Sequence, residues 1–470
     1  MHERTLTQSR AAELRARHPR LVYERFSIRR SGADLAVRFQ FKLEPDVVFE
    51  PALLFPDVDE ERLGSLAPGV LENLIFHIGL IETLSYWKCA CPPELVVAAG
   101  PLTSDQIEWW RDLYRHGLGE FYYTNDVDFS APDFVTIQST GADRFVPTVD
   151  SGPAADRDFV LIGGGKDSAV TLQLLKDAGH QLNTLLLNPI ESALEVTRQA
   201  GYGEPVIVRR TIDPTLLRLN AASYLNGHTP FSAYLGFLSI ACATLYGYRS
   251  LIVSNERSAN EGNVEFHGLT VNHQYSKTFR FESSFVDYSR RYLSTRAHYF
   301  SMLRPLYELQ IAMLFATMPQ YFPVCKSCNR NLKLNSWCGR CAKCLFVYTM
   351  LRPFLATSEL VDIFGADLFD REESIPLVAE LAGVSKHKPL DCVGTLAETQ
   401  AALRLGVERV RAAGESLPTV LRWAQESVLD ERPESLSEAQ ALLRSWSPDH
   451  LLPEAHERLL RDRVRALAAH

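Results

Sequence analysis

The hexapeptide Gly163-Gly164-Gly165-Lys166-Asp167-Ser168 follows a short apolar run, Phe159 to Ile162, and leads into a stretch with helical periodicity. Three glycines let a backbone approach a phosphate with no β-carbon in the way. A helix opening near Ser168 adds free N–H groups and the positive end of its dipole. Lys166 contributes charge and the Ser168 hydroxyl a donor. A Walker A loop would need Ser or Thr after Gly165-Lys166, where Asp167 stands, and a dinucleotide fingerprint would need a third, later glycine. The segment therefore reads as a phosphate-gripping loop of another kind.

Two further polar stretches fall where a site on an α/β sheet should be. Ser254 to Asn263 (SNERSANEGN) follows the apolar run Leu251 to Val253, placing it at the carboxyl end of a strand. Asn255, Glu256, Arg257 and Asn260 are candidates there for lining a nucleotide or an activated carboxyl group. In Val271 to Thr278 (VNHQYSKT), His273, Tyr275 and Lys277 alternate and would face one way on a strand. These three are the candidates for proton transfer.

Five of the nine cysteines crowd into Cys325 to Cys344. Thiolates separated by two residues can turn back onto one tetrahedral ion, and zinc is the usual occupant of a four-sulfur site. Cys328, Cys338, Cys341 and Cys344 are the favoured set, with Cys325 a spare or an alternative. An iron–sulfur cluster ranks second. Such a zinc would be structural, clamping this segment beside the phosphate loop. Cys89, Cys91, Cys242 and Cys392 read as single thiols and receive no role.

The elements that must position these groups show in the rhythm of the chain. Residues 1–152 mix short apolar runs with aromatic and proline-rich segments and carry no motif tied to chemistry. The turn-prone Asp150 to Asp158 marks a linker. Strands are expected at Phe159 to Ile162, Thr184 to Leu187, Pro205 to Val208 and Leu251 to Val253, with helices at Ser168 to Ala178 and Ser192 to Ala200. That alternation predicts an α/β fold, a doubly wound parallel sheet with helices on both faces over residues 153–350. An α+β zone precedes it, and a mostly helical region fills residues 351–470.

With 470 residues, two or three domains are expected. The net charge of −8 disfavours a nucleic-acid surface, which needs a dense basic patch. The uncharged stretch Phe231 to Tyr248 contains Ser, Tyr, Thr and Gly and reads as a buried helix, so no membrane partner is expected. A charged N-terminus without an apolar core predicts a cytoplasmic protein. The sequence sets no oligomeric state.

The hexapeptide resembles the Ser-Gly-Gly-x-Asp-Ser loop of the PP-loop pyrophosphatase superfamily, with Gly163 in place of the leading serine. In the order IGGGKDS, SNERSANEGN, VNHQYSKTFRFE and CGRCAKC, the motifs of Phe159 to Cys344 resemble those of the UDP-N-acetylmuramoyl-L-alanyl-L-glutamate epimerases. The resemblance implies a PP-loop fold and ATP with Mg²⁺, bound by Gly163, Gly164, Gly165, Lys166, Asp167 and Ser168. It implies epimerisation of the terminal L-glutamate of a small UDP-muramoyl dipeptide through adenylation of its carboxylate, releasing AMP and pyrophosphate. The pathway served is peptidoglycan biosynthesis.

Three other functions compete. The cysteine run also resembles that of 7-cyano-7-deazaguanine synthase, which activates a carboxylate and installs nitrogen; ammonium-dependent ATP splitting marks that reading. A tRNA-modifying relative would need RNA for pyrophosphate release. A zinc-bearing regulator that holds ATP without splitting it would leave ATP intact.

Overall fold

Alternating apolar side chains place the central strands between two separate cores. Phe159, Leu161, Leu185, Val208, Leu251, Val253 and Tyr299 enter one core, and their neighbours Val160, Ile162, Leu186, Ile252 and Phe300 enter the other. Successive side chains of a strand point to opposite faces, so a sheet apolar on both faces needs cover on both. The computed structural model describes residues 2–385, 388–430 and 436–468.

The strands are β1 (Arg20–Ser31), β2 (Asp34–Leu43), β3 (Val47–Phe49), β4 (Ala52–Phe55), β5 (Glu94–Val97), β6 (Thr136–Ser139), β7 (Asp158–Leu161), β8 (Leu182–Leu187), β9 (Val206–Thr211), β10 (Ser250–Val253), β11 (Val264–Phe266), β12 (Leu269–Val271) and β13 (His298–Ser301). One sheet runs β13-β10-β7-β8-β9-β4-β2-β1-β5-β6, with β3 beside β2, while β11 and β12 form a hairpin of their own. Strands β13, β10, β7, β8 and β9 are mutually parallel, as are β1, β5 and β6. The antiparallel pair β4–β9 joins the two parts, with Leu53 opposite Arg210. The N-terminal strands therefore extend the same sheet.

Numbered within the second parallel group, the strand order is 3-2-1-4-5, so the order reverses between β7 and β10. That switch point opens a crevice at the carboxyl ends of the strands. Helices Lys166–Asp177 and Glu191–Gln199 cover one face, and Phe231–Tyr246 covers the other. The sequence expectation of an α/β fold with a mostly parallel sheet is met, each expected strand and helix of this half lying within a few residues of its place. The apolar Phe231–Tyr246 helix lies against Val70–Trp87 and ends at Gly247 in the left-handed conformation, φ 78°. Among the described residues no helix is long and apolar enough to cross a membrane. From Ala342 onward the described chain contains helices and loops but no further strand.

Candidate functional site

The glycine loop leaves β7 at the switch point and enters helix Lys166–Asp177. Gly165 occupies the N-cap position with no side-chain cap, so the N–H groups of the first turn remain available to an anion. Gly164 has φ 87° and packs so closely on the start of helix Glu191–Gln199 that a β-carbon would lie 2.7 Å from Ala193 N. A cavity of about 450 Å³ opens beside the loop. Gly163, Gly165, Asp167, Ser168, Asn255 and Arg210 form its polar wall, and Leu187, Pro189, Ile190, Phe231 and Leu235 its apolar wall. That volume lies in the range of small-molecule sites.

Lys166 does not line the cavity. It is buried, and its Nζ pairs with Asp167 and with Glu308 at the start of helix Glu308–Phe315. Lys343 Nζ approaches the other oxygen of Glu308 at 3.7 Å, and the Glu308 N–H donates to Ser258 Oγ at 3.1 Å. Burial opposes ionisation of Glu308, but Lys166 and Lys343 hold its carboxylate below the ordinary range. This network fixes the loop electrostatically from beneath.

Of the four candidates in the second cluster, Asn255 alone lines the cavity, beside Ser254. Arg257 lies over the Tyr307 ring, 4.3 Å from its centroid, and Asn260 Oδ1 accepts from the Phe279 N–H at 2.8 Å. Glu256 is buried at 3% exposure, within electrostatic reach of Lys277. Both segments hang on Arg304, which is fully buried. Its guanidinium pairs with Glu282 and donates to the backbone carbonyls of Glu256 and Lys277, each at 2.6 Å.

Residues 272–278 do not form a strand. Chain pairing stops at Val271, and Tyr275–Lys277 is a 3₁₀ turn. Alternation therefore no longer groups His273, Tyr275 and Lys277. His273 and Lys277 converge on Cys392, whereas the Tyr275 hydroxyl donates to Asp112 at 2.6 Å and its ring stacks on His116. Asp112 keeps Arg280 as a partner if that hydroxyl is removed. Tyr275→Phe should cost about 1 kcal/mol of stability, as denaturant midpoints will check.

Cys328, Cys338, Cys341 and Cys344 gather with their Sγ atoms within 4.8 Å of one another, and Cys325 stands outside the group. Contacts of 3.9 Å (Cys328–Cys341), 3.8 Å (Cys338–Cys344) and 3.4 Å (Cys341–Cys344) fit the edges of about 3.8 Å that tetrahedral bonds of about 2.3 Å impose. The group can hold a metal ion such as zinc. The same segment docks on the phosphate loop: the Lys326 N–H donates to Gly164 O at 3.1 Å, and Ser192 Oγ donates to Lys326 O.

Several residues here carry no signal in the sequence. Arg210 comes from β9 and is held in the cavity wall by Glu82 of helix Val70–Trp87, with Nη2–Oε1 2.6 Å and Nε–Oε2 2.9 Å. Glu120 pairs with His273 from a zone with no recognisable motif. Cys392, Glu308 and Lys343 are ordinary in sequence. Only the composition of a buried, charged cluster marks them, and that is visible only in three dimensions.

Two family models match the chain, the MurL N-terminal domain over residues 13–302 and the MurL C-terminal domain over residues 324–438. A UDP-N-acetyl-alpha-D-muramoyl-L-alanyl-L-glutamate epimerase of a Micromonospora species is 34% identical over 410 residues, covering 82% of this chain and 90% of the relative. Enzymes of the same name from Salinispora tropica and Xanthomonas oryzae pv. oryzae are 35% and 32% identical, covering 77% and 74% of this chain and 77% of each relative. The glycine loop, the polar cluster beside it and the four-cysteine group all lie within the matched regions, and the chain belongs to the UDP-N-acetyl-alpha-D-muramoyl-L-alanyl-L-glutamate epimerase family.

Proposed function

We propose that the chain inverts the terminal L-glutamate of UDP-N-acetylmuramoyl-L-alanyl-L-glutamate by first adenylating the carboxylate next to the carbon to be inverted. The observation that carries this is the uncapped glycine loop at the switch point, opening onto a cavity lined by both polar and apolar residues. In this reading the loop is that of a PP-loop fold. Gly163, Gly164, Gly165 and Ser168 bind the ATP phosphates through backbone N–H groups and a hydroxyl. Asn255 and Arg210 face the nucleotide or the carboxyl group under attack. Lys166 acts from beneath the loop, holding Asp167 and Glu308 in place and keeping Glu308 ionised. Asp167 lines the cavity, and its carboxylate would hold Mg²⁺, which would neutralise charge on the ATP phosphates.

The chemistry explains why ATP is spent on an inversion. Removing a proton beside an ionised carboxylate would build a second negative charge on the same atoms. Adenylation replaces that carboxylate with an acyl phosphate ester: the carboxylate oxygen attacks the α-phosphorus and pyrophosphate leaves. The α-proton is then acidic enough for a side-chain base. After a proton returns to the other face, water cleaves the adenylate to AMP and the D-glutamyl carboxylate. ATP and UDP-linked precursors are cytoplasmic, and so is the proposed site of action.

The four-cysteine group fits zinc, which would supply no chemistry here and would hold residues 325–344 against Gly164. Cys341→Ser is expected to weaken metal binding at least ~100-fold, lower the melting midpoint and remove ATP-dependent turnover with it. Metal content by elemental analysis and thermal unfolding of the purified chain check this.

Pyrophosphate release from ATP, with and without the UDP-muramoyl dipeptide, tests the reading, followed by chiral analysis of the released glutamate. Substrate-dependent pyrophosphate with D-glutamate appearing supports it. Pyrophosphate that ignores this compound, or that depends on ammonium or RNA, transfers the ATP chemistry to another substrate. Inversion without ATP would end the adenylation proposal.

A further inference from the structure

The adenylation step leaves one buried cluster without a task. Cys392, half-buried on a loop of the C-terminal region, has its Sγ 3.5 Å from both His273 Nε2 and Lys277 Nζ. The other nitrogen of His273 is bonded to Glu120, and Lys343 Nζ donates to the Cys392 carbonyl at 2.5 Å. Cysteine, histidine and glutamate thus form a chain, with two lysines beside the sulfur. Lys277 is also the cation nearest in influence to buried Glu256, which immediately follows the cavity residue Asn255. The cluster is continuous with the phosphate loop, because Lys343 contacts Glu308, the partner of Lys166.

These surroundings push two acids in opposite directions. Burial raises Glu256 to about 7, with Glu308 and Asp167 adding to the rise and Lys277 opposing it. Burial would also raise the Cys392 thiol, but Lys277, His273 and Lys343 outweigh it and lower the group to about 6. For His273, burial is outweighed by the contacts with Cys392 and Glu120, and the ring rises to about 9. Near neutrality the sulfur is an anion between cations, while Glu256 holds a proton for about half the time. Neighbouring groups whose environments separate their proton affinities in this way mark an acid and a base.

We propose that Cys392 and Glu256 are the catalytic pair that moves the α-proton, the Cys392 thiolate taking it from the L-epimer and Glu256 returning one to the opposite face. This rests on the adenylation reading above. As the S–H bond forms, the α C–H bond breaks and its electron pair passes into the activated acyl group as an enolate. The Glu256 O–H bond then breaks as the new C–H bond forms. Afterwards the Cys392 thiol loses its proton to solvent and Glu256 regains one, so the cycle closes with no net gain or loss. His273, Lys277, Glu120 and Lys343 are positioning residues that keep the sulfur ionised.

Separate deuterium wash-in from the two epimers, with ATP present, tests the pair. The wild-type chain should exchange the α-proton of both. In Cys392→Ser, wash-in from the L-epimer should fall at least ~100-fold while wash-in from the D-epimer continues, and Glu256→Gln should show the converse. Substrate-dependent pyrophosphate should still form in the first turnover of each variant. Wash-in from the L-epimer close to wild type in Cys392→Ser overturns the inference, as does parallel loss of pyrophosphate and exchange in both variants. Absence of substrate-dependent pyrophosphate in the wild type would instead overturn the adenylation reading. A probe independent of variant folding is alkylation of the intact wild-type chain by iodoacetamide at pH 7, read by peptide mass spectrometry. Cys392 should label faster than the other cysteines, and less with ATP and the dipeptide bound. Slow labelling that ATP and substrate do not change overturns the assignment.

Discussion

Gly164→Ala is expected to reduce substrate-dependent pyrophosphate release by at least ~100-fold, because it forces the glycine loop out of place and a misplacement of about 1 Å can cost that much in rate. Gly164 has φ 87°, where a side chain costs roughly 1–2 kcal/mol. Its β-carbon would also lie 2.5 Å from Ser192 Oγ and 2.7 Å from Ala193 N. The hydroxyl can rotate away, but the backbone nitrogen belongs to the first turn of helix Glu191–Gln199 and cannot. The loop must yield, and with it the bond from Lys326 to Gly164 O that docks the cysteine segment. Gly163→Ser is the matching control. A β-carbon at Gly163 meets nothing within 4 Å, and the superfamily loop it resembles has serine there. The first variant should lose activity with only a modest fall in melting midpoint, and the second should keep both. Equal loss in the two would mean that side-chain bulk in the cavity, not loop position, governs the step.

Arg304→Met should lower unfolding stability by about 3–5 kcal/mol, the usual result of removing one member of a buried ion pair. Arg304 is fully buried and Glu282 is 1% exposed, with Nη2–Oε2 2.7 Å and Nε–Oε2 2.9 Å. After substitution Glu282 keeps only the Ser301 N–H and hydroxyl as partners. Against a total of roughly 5–15 kcal/mol for ordinary domains, that loss is large. Activity should fall too, since the same guanidinium holds the Glu256 and Lys277 carbonyls, and these residues face the proposed proton-transfer site. Combining Arg304→Met with Glu282→Leu separates the two effects. Replacing both charges by apolar groups should recover much of the stability, while the two carbonyls remain unpinned and turnover stays low. Denaturant unfolding and pyrophosphate release on the same preparations check this. Recovery of both quantities together would show that Arg304 matters only to folding.

What the sequence determined by itself was local. Strand, three glycines and helix lie within about twenty consecutive residues, so the glycine loop and its place at a strand end could be read from spacing alone. The four sulfurs that gather span Cys328 to Cys344, and their two-residue gaps already bring them back to one point. Hydrophobic period told strands from helices in the parallel half for the same reason.

Tertiary structure decided what depends on residues far apart in the chain. Glu308 meets Lys166 across 142 positions, Cys392 meets His273 across 119, and Glu120 meets His273 across 153. Nothing in the local pattern around Cys392 distinguishes it from Cys89, Cys91 and Cys242, whose burial outweighs the single cations Lys88 and Arg15 beside the first two and pushes all three thiols well up. The pairing of β4 with β9 likewise brought the motif-free N-terminal zone into the same sheet, and its Glu82 and Glu120 into the site. Even three neighbours, His273, Tyr275 and Lys277, were sorted by the fold, because a 3₁₀ turn there sends the middle one to Asp112. Spacing encodes contacts that a single element closes. The proton affinity of a side chain depends on charges and burial that other elements supply, and those are set only when the chain is packed.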